Sequence, residues 1–266
     1  MNIIKVIKSL LIGGIPRFNL FKTIIVNFKL LPTNQAMTLP IFMYGHWNLR
    51  HLRGKILIDS DEIFTGMFKF GYDTAGYFTS AISTLNMLNG SVIHISEGVR
   101  VGQGVQICLL PQASLILKKK ASINDNVKVI CSTKIEIGEN TNITWECQIM
   151  DYNSHYVLDT TTNRIGNISK PVFIGNYCWV CNRTTIMPGT VLPNRTIVAS
   201  GSLLNRDYIK LGIREKSMIG GSPAKLIKEG VYRVYEKDNY KKIKLYFKDN
   251  PNSPFYELSS EDNFDE

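Results

Sequence analysis

The stretch IGNYCWVCNRTTIMPGTVLPNRTIVASGSLL, from Ile174 to Leu204, decides the fold of this chain. An aliphatic residue returns in it at every sixth position: Ile174, Val180, Ile186, Leu192, Val198 and Leu204. Ile137, Ile143 and Ile149 keep the same step, as do Ile95, Val101 and Ile107, and Ile123, Val129 and Ile135. A step of six fits neither an amphipathic helix nor the alternation of a half-buried strand. It fits a coil of three short flat strands, in which each sixth residue points into one shared interior and coils stack along a single axis. The expected class is therefore all-β, a three-sided parallel solenoid.

The rest of each hexad agrees. The fifth residue is small or β-branched at Thr141, Cys147, Cys178, Thr184, Thr190, Thr196 and Ser202. A narrow prism has room for one large and one small residue per face. Gly often follows the aliphatic, as in VGQGVQ at Val101, IGENTN at Ile137 and IGNYCW at Ile174. That suits sharp corners in left-handed conformation.

Three regions follow. Residues 1–54 form a basic segment outside the repeat. There IIKVIKSLLIGG reads as a short helix, VNFKLL as helix or strand, and Pro32 and Pro40 as breaks. Residues 55–220 carry the solenoid, irregular through KILIDS, MFKFG and SVIHI and regular by Ile95. Within it residues 150–173 break the rhythm between clean repeats, so they are expected to protrude, and loops on a rigid scaffold are where function concentrates. Residues 221–266 read as a cap helix, SPAKLIKEGVYRVY, opened by Ser222 and Pro223, and a tail ending in the acidic SSEDNFDE.

The net charge of +9 is unevenly spread. No Asp or Glu precedes Asp59, whereas Lys5, Lys8, Arg17, Lys22 and Lys29 all do. A basic amphipathic leader suits peripheral contact with an anionic membrane or an anionic substrate; the alternative is a solvated face packed on the body. No recognised nucleic-acid motif accompanies the charge, so nucleic acid is not an expected partner. MNIIKVIKSLLIGGIP lacks a clear small-x-small cleavage site, and no apolar run is long enough to span a bilayer. The expected location is cytoplasmic, with peripheral contact at the inner face of the membrane. Five cysteines, an odd count, argue against a disulfide framework and for a reducing compartment. The pair Cys178 and Cys181 reads as small-residue packing rather than zinc or redox work.

From Ile137 to Lys228 the chain resembles a known family, the left-handed parallel β-helix acyltransferases. IGENTNITWECQIMDYNSH is similar to that family's approach to its catalytic histidine. KPVFIGNYCWVCNRTTIMPGTVLPNRTIVASGSLLNRD and IGGSPAKLIK are similar to its coenzyme A-binding coils and cap. The resemblance is greatest to sugar O-acetyltransferases of bacterial surface-polysaccharide clusters. It implies a homotrimer, acetyl-CoA as acyl donor, a sugar or glycan acceptor, and no metal.

Residue by residue, the resemblance assigns His155 as the general base, since an alcohol is a poor nucleophile at neutral pH and an imidazole titrates near it. Asp151 orients that imidazole, binds a sugar hydroxyl, or makes an Asx turn. Asn153 and Asn124 fall where the acceptor is held, with corner duty the alternative for Asn124. Trp179 lines the pantetheine channel, or is an aromatic buried between subunits. Asn182, Ser200 and Gly201 run along the pantetheine arm. Asn205, Arg206, Lys225 and Lys228 meet the phosphates, with the two lysines sharing a face of the cap helix. Three other functions remain open. The first is acetyl transfer to an amino sugar. The second is a zinc enzyme of carbonic anhydrase type, although His46 and His51 precede the repeat and His94 is distant from His155. The third is a non-catalytic scaffold.

Overall fold

The computed structural model describes residues 18–72 and 82–258. The leader helix expected at IIKVIKSLLIGG and the acidic tail SSEDNFDE lie outside the described residues. Three sheets of nine, seven and six strands, parallel except for the last strand of the first, form the faces of a three-sided parallel β-helix. Each coil gives one strand to each sheet in turn. The strands Ile41–Met43, Trp47–Arg50 and Lys55–Asp59 open the first, second and third sheets. The solenoid thus begins at Ile41, ahead of the expected boundary at 55. The hexad step is lost where longer connections follow, between Lys55–Asp59 and Phe68–Phe70 and between Phe68–Phe70 and Ser83–Met87.

The hexad residues stack in register. On the first sheet Val101 lies beside Ile123, and Ile143, Val180, Val198 and Ile219 follow one coil at a time. All six are fully buried. The small positions are buried too, and their donors satisfy backbone carbonyls that turn inward at the corners. Thr141 Oγ1 donates to the Gly175 carbonyl at 2.7 Å, Thr196 Oγ1 to that of Pro193 at 2.8 Å, and Ser202 Oγ to that of Ala199 at 2.6 Å. A hydroxyl is chosen there because a buried carbonyl without a partner is costly.

The corners differ from the sequence reading in one respect. The left-handed residue is the third after the aliphatic, not the first: Asn126, Asn140, Glu146, Tyr177, Arg183 and Arg195 have φ between 53° and 59°. Few of these are residues that adopt αL readily. The glycine directly after the aliphatic serves close approach instead. A Cβ on Gly138 would run into the backbone of Gly175, and one on Gly175 would meet the Asn194 nitrogen at 2.7 Å.

Helix α1 (Leu20–Leu30) and the short α2 (Thr33–Ala36) precede the first coil. Asn19 caps α1, its side chain accepting from the Lys22 N–H at 3.0 Å. At the other end the structure corrects the cap-helix expectation. Ser217–Gly221 turns at Gly221, φ 102°, and returns as the antiparallel strand Ala224–Glu229. The last parallel strand offers a row of unpaired amides, and a returning strand satisfies them with its own backbone. A helix does form later, α3 (Lys237–Asp249), within the segment read as the tail.

Stability should follow the column. Ile186 is fully buried, so Ile186→Ala is expected to cost about 2–5 kcal/mol, read as a lowered midpoint in chemical denaturation. Thr190 Oγ1 donates to the Met187 and Leu204 carbonyls. Thr190→Val should cost about 1–3 kcal/mol despite its similar shape.

Candidate functional site

The interruption in the solenoid is a hairpin on a closed stem. The second-sheet strand Gln148–Met150 is followed only at Val172 by the next strand, Val172–Ile174 of the third sheet. Between them the Lys170 N–H donates to the Asp151 carbonyl at 2.9 Å, and the Asn153 N–H to that of Ile168 at 2.8 Å. Further out, Leu158–Asp159 pairs antiparallel with Arg164–Ile165. The Asp159 carboxylate closes the turn by accepting from the Thr161 hydroxyl and from the Thr161 and Thr162 N–H groups. These bonds hold its pKa down at about 2.

Asn153, Ser154 and His155 stand exposed just above the stem. Asp151 does not join them. Its carboxylate is fully buried and points back into the preceding coil. Oδ1 accepts from the Ser132 N–H at 2.6 Å. Oδ2 accepts from the Thr133 N–H, the Thr133 hydroxyl and the Lys134 N–H, each at 2.7 Å. The Cys131 thiol also donates to Oδ2, at 3.8 Å, so every donor to this carboxylate comes from the coil below. The structure therefore corrects the assignment of Asp151 as an orienting or sugar-binding carboxylate: it braces the loop against the coil below.

The remaining candidates divide between two edges and one face. The edge between the second and third sheets carries the hairpin with Asn153 and His155. Two coils on, after Leu203–Leu204, it carries the exposed Asn205 and Arg206. The edge between the first and second sheets carries Asn124, then, two coils on, Asn182, and in the next coil Ser200 and Gly201. There Ser200 Oγ donates to Asn182 Oδ1 at 2.7 Å and the Gly201 N–H to the Asn182 carbonyl at 3.0 Å. Gly201 has φ 69° and open space where a Cβ would be. Trp145 holds the same corner position one coil below Asn182 and went unread in the sequence.

Trp179 lies on the outer side of the first sheet, between Asn142 and Ile197. Its ring is covered, not free. The segment after the terminal hairpin runs back over this sheet and lays the Arg233 guanidinium 5.8 Å from the Trp179 centroid and 5.2 Å from that of Tyr235. Burial pulls the Arg233 pKa below its ordinary value, and neighbouring Arg100 acts in the same direction. No sequence motif signals this contact. Lys225 and Lys228 are exposed on the returning strand, opposite Gly220 and Met218. A bulge between those pairs keeps both lysines on one face, as expected, though not on a helix.

The buried thiols are not poised for chemistry. Burial pushes Cys178 up to about 12 and Cys147 up to about 11. All five cysteines are free. Among the described residues no cluster of three or more His, Cys, Asp or Glu side chains is placed to hold a metal ion. A groove of about 770 Å³ sits at the edge between the third and first sheets, lined by Asp59, Asp61, Glu62, Glu97, Lys118 and Lys119 among others. It contains none of the candidate residues, and its carboxylates oppose a polyphosphate donor.

No protein-family model matches the chain. An Escherichia coli (strain K12) protein provisionally described as the lipopolysaccharide biosynthesis O-acetyl transferase WbbJ is 26% identical over 149 residues, 53% of this chain and 74% of that protein. The chain is similar to hexapeptide-repeat O-acetyltransferases. A protein of Saccharomyces cerevisiae, provisionally described as an acetyltransferase, is 29% identical over 124 residues, 45% of this chain; the match spans 58% of that protein, less than two thirds of its length. Among solved structures, the polysialic acid O-acetyltransferase OatWY is 21% identical, with 75% of this chain and 98% of that chain covered and a TM-score of 0.47.

Two outcomes test this geometry. Asp151→Ala strands buried donors that cost about 1–3 kcal/mol each, so it should lower the melting temperature by several degrees in calorimetry. A catalytic Asp151 would instead leave melting unchanged. Arg233→Ala should raise acrylamide quenching of indole fluorescence, and the increase should vanish in a Trp179→Phe background.

Proposed function

We propose that this chain transfers an acetyl group from acetyl-coenzyme A to a hydroxyl of a sugar in a surface glycan or its precursor. The observation that carries the reading is His155, exposed at the base of a hairpin that interrupts the solenoid, on a chain similar to an O-acetyl transferase. The imidazole takes the hydroxyl proton as the sugar oxygen attacks the thioester carbonyl. Backbone N–H donors steady the tetrahedral oxyanion. The carbon–sulfur bond then breaks, and the proton passes to the departing thiolate. Transfer is direct, because the buried thiols are held protonated and are poor acyl carriers.

Asn182, Ser200 and Gly201 form a ledge of small polar groups on which a pantetheine amide chain can lie. Arg206, Lys225 and Lys228 are exposed cations that would meet the coenzyme's phosphates. His155 leaves the prism at one edge and the ledge lies along another, so we infer that a working site joins the hairpin of one copy to the ledge of the next. A homotrimer supplies that arrangement three times over. The free thiols suit a reducing, cytoplasmic compartment.

Purified protein given acetyl-coenzyme A and candidate glycans should yield a product one acetyl unit heavier by mass spectrometry. His155→Ala should cut kcat at least about a hundredfold while calorimetry shows acetyl-coenzyme A still bound; unchanged turnover would end the reading. Co-assembling His155→Ala chains with Ser200→Trp chains should restore activity that neither has alone. No recovery would place the whole site within one chain.

A further inference from the structure

Helix α1 is attached to the body the wrong way round for a soluble cap. A surface helix ordinarily turns its apolar stripe to the core and its polar face to water. Here the buried face includes Thr23 and Asn27 alongside Val26 and Leu30. Asn27 Nδ2 donates to the Ile41 carbonyl at 2.7 Å, and its Oδ1 accepts from the Ile41 N–H at 3.1 Å. Thr23 Oγ1 accepts from the Met43 N–H at 3.0 Å. The helix thus acts as a surrogate strand for the open edge of the first sheet. Its polar groups are used inward, and an apolar stripe is left outward.

That stripe is Leu20, Phe21, Ile24 and Phe28, exposed by 55, 69, 43 and 48%. Steps of three and four residues place them on one side of the helix. Phe18, 44% exposed, extends it. Lys22 and Lys29, seven residues apart, flank it. The outer surface is thus apolar along its length and basic beside it.

We propose that this face of α1 docks on an anionic lipid bilayer, lying in the headgroup region with the four apolar side chains inserted. The choice of occupant rests on charge. No acidic residue precedes Asp59, while Lys5, Lys8, Arg17, Lys22 and Lys29 all do. A two-fold pairing of this face with the same face of a second copy would set like charge against like. Anionic headgroups supply the opposite charge, and acyl chains receive the phenylalanines. The inference does not rest on the acetyltransferase reading; if both hold, the enzyme works beside membrane-anchored acceptors.

The test is flotation of the full chain with vesicles of phosphatidylcholine alone and of phosphatidylcholine mixed with phosphatidylglycerol. Binding should require the anionic lipid and weaken at ~1 M salt, where the Debye length falls to about 3 Å. The triple variant Phe21→Ser, Ile24→Ser, Phe28→Ser alters only exposed positions. It should keep the wild-type circular dichroism and lose at least about tenfold in partitioning. Lys22→Glu with Lys29→Glu should weaken binding to the anionic vesicles while leaving the fold intact. The proposal is overturned if the wild type fails to float, if the triple variant floats as well as wild type, or if that variant instead loses a self-association seen by analytical ultracentrifugation.

Discussion

Hexad-spaced aliphatic side chains, stacked one coil upon the next, are the contact on which this molecule depends. Val101, Ile123, Ile143, Val180, Val198 and Ile219 form one continuous buried column on the first sheet. Their burial holds the coils in register, and the register aligns every amide with a carbonyl of the neighbouring coil. Because each coil touches only its neighbours, stability is close to a sum of local terms. The arrangement costs strain at the corners, where non-glycine residues such as Tyr177 and Arg195 sit at positive φ. The buried hydroxyl and thiol donors beside those corners recover part of that cost.

A stack of parallel strands cannot close on itself, so both ends present unpaired amides. The two ends are covered by unrelated means. At the first, side-chain amide and hydroxyl groups of α1 stand in for a strand. At the last, the chain reverses at Gly221 and adds an antiparallel strand. The same requirement appears inside the solenoid where the hairpin departs. There the Asp151 carboxylate accepts from three successive amides of the coil below. Asn27, the terminal hairpin and Asp151 all answer one need, a partner for backbone that has lost its neighbour.

What was legible in the sequence was whatever depends on local repetition. The period gave the interior column, the small positions and the place of the loop. What was not legible depends on which backbone groups lack partners, and that is known only once the coils are stacked. SPAKLIKEG opens with Ser222 and Pro223 as a helix would, yet the open sheet edge overrides that signal and draws Ala224–Glu229 into a strand. DYNSH places an acid near a histidine, yet the acid is drawn inward by three orphaned amides. Ile41 and Trp47 open the first coil six residues apart, but the step lapses at Arg53, ahead of the strand Lys55–Asp59. The cover over Trp179 comes from Arg233, which no short-range pattern connects to it.

The prism also constrains where chemistry can be placed. Its interior is filled, and its faces are flat, so reactive groups must stand at edges or on excursions from them. One chain puts His155 on an excursion from one edge and the Asn182–Ser200 ledge along another. The hairpin beyond His155 leaves Tyr156, Val157, Leu158 and Ile165 more than half exposed, an apolar surface larger than a lone loop tip needs. In the proposed reading this surface seats the hairpin on an adjacent copy and fixes the imidazole over the ledge there. Association would then do for the site what the returning strand does for the last coil, supplying from a neighbour what the solenoid cannot provide within itself.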